Sequence, residues 1–84
     1  MGSVRLGQTL FAAISGDHIG GRLPHLHAYT GSGEAVIELD DGSVRLSAAH
    51  GDPIRGCLKK SEVRRIIREA VTNYDVLMAL WRLS

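Results

Sequence analysis

Apolar and polar positions alternate along the first half of the chain and recur every three or four residues along the second. The first half therefore predicts strands and the second a helix. Thr9–Ser15 is a short apolar run and predicts a first strand. Gly16-Asp17-His18-Ile19-Gly20-Gly21-Arg22 predicts a loop, because glycine and aspartate break regular structure. Leu23–Tyr29 predicts a second strand, and Thr30-Gly31-Ser32-Gly33 a hairpin connection. Beyond it Ala35, Ile37 and Leu39 alternate with Glu34, Glu38 and Asp40, the pattern of a strand with one buried and one wet face. Asp41-Gly42 is a strong type I′ turn signal, and Ser43–Ser47 completes a fourth strand.

Residues 48–58 hold two glycines and a proline and predict a loop crossing from sheet to helix. From Lys59 the period changes. Val63, Ile67, Ala70, Tyr74, Leu77 and Trp81 fall on one stripe, widened by Ile66, Val71, Met78 and Leu80. No glycine or proline interrupts residues 59–82, which predicts one long amphipathic helix with its weakest point at Thr72-Asn73. The expected fold is α+β, a single domain over residues 1–84. It has an antiparallel sheet of about four strands (9–47), a loop (48–58) and one C-terminal helix (59–82). Such a helix is about 35 Å long, against a sheet roughly 20 Å across. Its C-terminal end is expected to overhang, with Leu77 and Trp81 as anchors for a partner or for a second copy.

Composition narrows the function classes. Aromatic residues make up 5% of the chain, too few for a base-stacking platform. The net charge of +1 gives no overall attraction to polyanions. A single cysteine, Cys57, excludes an internal disulfide and fits a reducing, cytoplasmic setting. No secretory leader and no membrane-spanning run is expected.

Two features carry candidate chemistry. Pro24-His25-Leu26-His27 places two imidazoles two positions apart, on one face of a strand. They suit a partner or phosphate contact, or simply line a partly buried surface. A metal needs three or four ligands, so His18, His50, Asp17 or Asp52 would have to join them. Acid–base work by His25, alone or with Cys57 as nucleophile, is a further reading. The second feature is Lys60, Arg64 and Arg68, spaced i, i+4, i+8 on one helix face. Residues 59–82 hold six basic and three acidic residues, and the rest of the chain four and six. Such a stripe fits phosphates, an acidic protein, or a solvated face.

Three blocks stand in order: Pro24-His25-Leu26-His27-Ala28-Tyr29, then Glu34-Ala35-Val36-Ile37-Glu38-Leu39, then Asn73-Tyr74-Asp75-Val76-Leu77 with Trp81. With them the chain resembles the small bacterial domains of unknown function called DUF4160, over roughly residues 9–82. Its 48–58 connection is longer than is common there, and its first strand departs from the pattern. The resemblance implies a non-catalytic interaction module in a toxin–antitoxin-like pair, bound to a small protein. The alternatives are a nucleic-acid module using the basic stripe, and a histidine- or metal-dependent hydrolase or nuclease. No cofactor is expected.

Overall fold

A computed structural model describes residues 2–13, 23–47 and 51–83. Among the described residues the fold is α+β: six antiparallel strands and two helices. The strands are β1 (Gly2–Leu6), β2 (Thr9–Ala13), β3 (His25–Tyr29), β4 (Gly33–Asp40), β5 (Ser43–Leu46) and β6 (Ile54–Gly56). The helices are α1 (Lys60–Thr72) and α2 (Tyr74–Leu83). The sheet runs β1-β2-β3-β4-β5, with β6 also paired to β4.

Strand alternation decides the core. Phe11 opposes Ala28, Leu26 opposes Ile37, and Ala35 and Leu39 share their face. These side chains are buried together with Ile66, Ala70 and Leu77 from the helices. Each large aliphatic or aromatic group so buried contributes about 1.5–3 kcal/mol. The opposite parity sends His27, Tyr29, Glu34, Glu38 and Arg45 to the other face.

One edge of β4 is shared by two strands. β5 pairs with its C-terminal half and β6 with its N-terminal half. The exchange occurs at Val36, whose N–H donates to Pro53 O (2.8 Å) and whose carbonyl accepts from Ser47 N–H (2.9 Å).

Three expectations are corrected. Among the described residues the sheet has six strands rather than about four. Val4 and Leu6 turn inward against the core, and Gly7 with φ of 64° closes the turn into β2, so residues 2–6 form a strand. Ile54–Gly56, expected within a loop, finds pairing groups on the stretch of β4 that β5 leaves open. The helix is two helices. The Asn73 side-chain amide donates to Glu69 O (2.9 Å), and its backbone leaves the helical region at φ −112°, ψ 30°. The bend also removes the expected overhang. Leu77 is fully buried and Trp81 is 7% exposed, so both pack within the chain. Among the described residues no helix is long and apolar enough to cross a membrane.

Candidate functional site

The sheet face away from the hydrophobic core gathers the first candidate group. His25 and His27 lie on β3 with ring centroids 6.4 Å apart. Each imidazole is held by its Nδ1. That of His25 faces Leu23 O at 3.2 Å, and that of His27 faces Glu34 Oε2 at 2.6 Å. Both partners are acceptors, so Nδ1 carries the hydrogen in each neutral ring. Glu34 sits diagonally across from His27 in the β3–β4 register. Glu34 also lies near enough to the Tyr29 hydroxyl to act on it electrostatically. Burial pushes the Tyr29 hydroxyl above its ordinary range, and the Glu34 charge adds to this, while Arg55 across the strand pair opposes it.

Glu38 organises the neighbouring position. It faces His25 in register, accepts from Ser47 Oγ (3.2 Å), and pairs with Arg45 Nε (3.1 Å). Arg45 also reaches Asp40 (3.2 Å). Between these groups lies a cavity of about 220 Å³, bordered by both histidines, Ser47, Asp52 and Arg55 over Val36 and Pro53. It sits where β4 exchanges one edge partner for the other. Asp52 turns one carboxylate oxygen to Ile54 N–H (2.9 Å), shaping the turn into β6.

His25 has a second role at the start of its strand. Its ring lies 5.2 Å from that of Trp81, tilted 49°, so it meets α2 as well as the cavity. His25 is 8% exposed and is the more enclosed of the pair.

Other candidates fall elsewhere. Cys57 is exposed just past Gly56, which pairs with Gly33. His25 pairs with Glu38, five residues further along β4, or about 17 Å away. The structure does not bring this thiol to His25. Among the described residues no three of His, Cys, Asp and Glu gather to hold a metal ion. His18, Asp17 and His50 lie outside the described residues.

The second candidate group is on the helix layer, away from this cavity. Lys60, Arg64 and Arg68 are all exposed along α1. The acidic residues of α1 are engaged within the chain instead. Glu62 accepts from the Lys59 N–H (3.3 Å) and caps the helix start. Glu69 accepts from Thr9 Oγ1 (2.6 Å) and lies 3.9 Å from Arg65 Nε. Lys60 and Arg64 border an open groove whose walls are Leu46, Ile54, Leu58 and Val63.

Sequence reasoning missed Ser47, Arg55 and the two glutamates as neighbours of the histidines. The signal for the glutamates was there: a hairpin turning at Gly31-Ser32 pairs Tyr29 with Glu34 and His25 with Glu38. Arg55 carried none, since its position depends on β6.

The architecture defines a class: a small α+β domain whose antiparallel sheet is covered on one face by helices and presents paired histidines on the other. Residues 11–82 match the family described as a domain of unknown function, DUF4160, and the chain belongs to it. No curated protein and no solved structure matches the chain.

Proposed function

We propose that this domain is a non-catalytic interaction module that holds a small partner protein against the basic face of α1, as one member of a toxin–antitoxin-like pair. The observation that carries this reading is the state of the charges on α1. Glu62 and Glu69 are engaged by the Lys59 N–H, Thr9 and Arg65. Lys60, Arg64 and Arg68 point outward and form no ion pair among the described residues. A merely solvated helix face gains from i,i+4 pairs between its own charges. This one leaves its stripe to an outside anion. The pair belongs in the cytoplasm, where the exposed Cys57 stays a thiol.

The test is co-purification of the tagged chain from its native cell, as wild type and as Arg64→Glu, at low and moderate salt. The reading expects one small protein in fixed ratio, held at both salts by the wild type and lost from the variant. The same spacing of cations also fits a phosphate backbone. Nucleic acid that comes down at low salt and leaves at moderate salt, with no protein held, would put that second reading first.

A further inference from the structure

Resting on the reading above, we propose that the groove beside the stripe anchors the partner, and that it takes an acidic peptide segment bearing aliphatic side chains. Leu46 from β5, Ile54 from β6, Leu58 and Val63 line an open groove of about 300 Å³, with Lys60 and Arg64 on its rim. All four apolar side chains are only half-buried by the fold. The groove opens at the first turns of α1, where the helix dipole adds positive potential. Lys59 is exposed there too, and the acid of that turn, Glu62, accepts from the backbone N–H of Lys59. An aliphatic floor under a positive field is complemented by carboxylates flanking a leucine or isoleucine. A nucleic acid would complement the rim alone. The floor offers it no aromatic ring to stack on and no side-chain donor or acceptor for a base edge.

The experiment selects binders to the intact chain from a random 12-residue peptide library, then maps the strongest by amide NMR and measures it by fluorescence anisotropy. Enriched peptides are expected to combine Asp or Glu with Leu or Ile, and to shift the amides of Leu46, Ile54, Leu58 and Val63. Val63→Gln, which removes one apolar wall, should weaken the peptide about tenfold, and Arg64→Glu by at least as much. Val63→Leu should bind like wild type, and the amide spectra of all three variants check the fold. Basic or purely polar winners, a footprint on the other sheet face, no enrichment, or indifference to Val63→Gln would each overturn the proposal. So would groove amides that shift with protein concentration alone, which would make a second copy the occupant, or a random-sequence RNA oligonucleotide that displaces the peptide. In the native-cell experiment, a partner lost with Arg64→Glu but kept by Val63→Gln would end the groove and leave the interaction module standing. A partner kept by both variants would end both.

Discussion

Thr9 of β2 donates its hydroxyl to Glu69 of α1 at 2.6 Å, joining positions 60 residues apart. The bond ties the first hairpin to the helix layer and draws Glu69 in from the basic face. Gly7, at the turn of that hairpin, lies directly under the same carboxylate. Thr9→Val removes a hydrogen bond to a charged acceptor and should cost about 1.5–3 kcal/mol in urea unfolding. Gly7→Ala places a methyl group into the Glu69 carboxylate at φ of 64°, so it should cost more than about 1 kcal/mol. Two variants as stable as wild type would show that the hairpin and helix are joined by core packing alone.

Charge reversal on the stripe should behave differently. Arg64 is exposed and has no ion pair among the described residues. Arg64→Glu should therefore leave the urea midpoint within about 0.5 kcal/mol of wild type. Binding and stability then separate, and lost capture by this variant reports on the surface. A large loss of stability would instead make Arg64 a structural residue.

Where the chain's own pattern determines the structure, the sequence is legible. Ala35, Ile37 and Leu39 point to the core, and Asp41-Gly42 turns with φ of 50° and 85°, as the alternation and the turn signal require. The exposure of Lys60, Arg64 and Arg68 follows from helical spacing. Pairings that depend on distant residues were not legible. Ile54–Gly56 is a strand only because β5 ends at Leu46 and leaves part of β4 unpaired. The bend at Asn73 is a contest between a side-chain amide and the helical ladder, and propensity marks only the weak point. Trp81 shows the same limit. Its helical stripe was readable, but whether the stripe's end meets the sheet or solvent depends on that bend.

The Tyr29–Glu34–His27 group makes stability depend on alkaline pH. Burial, then the Glu34 charge, hold the Tyr29 hydroxyl above its ordinary 10.0, with Arg55 opposing. The fold therefore favours the neutral phenol. Below pH 10.0 both folded and unfolded chains keep the proton, and the contribution is fully present. Above it the unfolded chain releases its proton first, so stability falls as pH rises through the folded value. The urea midpoint of wild type relative to Tyr29→Phe should be constant below pH 10 and decline above it. Glu34→Gln should shrink that decline, because Glu34 supplies two of the influences that raise Tyr29. A difference that stays flat past pH 10 would remove Tyr29 from the group.

Trp81 is the chain's single tryptophan, so its emission reports on one place. The ring is 7% exposed and lies 5.2 Å from His25. Blue-shifted emission is expected from the dilute folded chain, unchanged across a concentration series. The two rings pack against each other, so His25 helps keep water from the indole. His25→Ala should therefore open that side of the indole to water and shift its emission toward the wavelength of exposed tryptophan. His25→Phe should keep the blue emission, because an aromatic ring of similar size stays in contact. Emission that turns blue only at high concentration would place Trp81 at an interface between copies. Emission unchanged in His25→Ala would show that the core alone shields the indole.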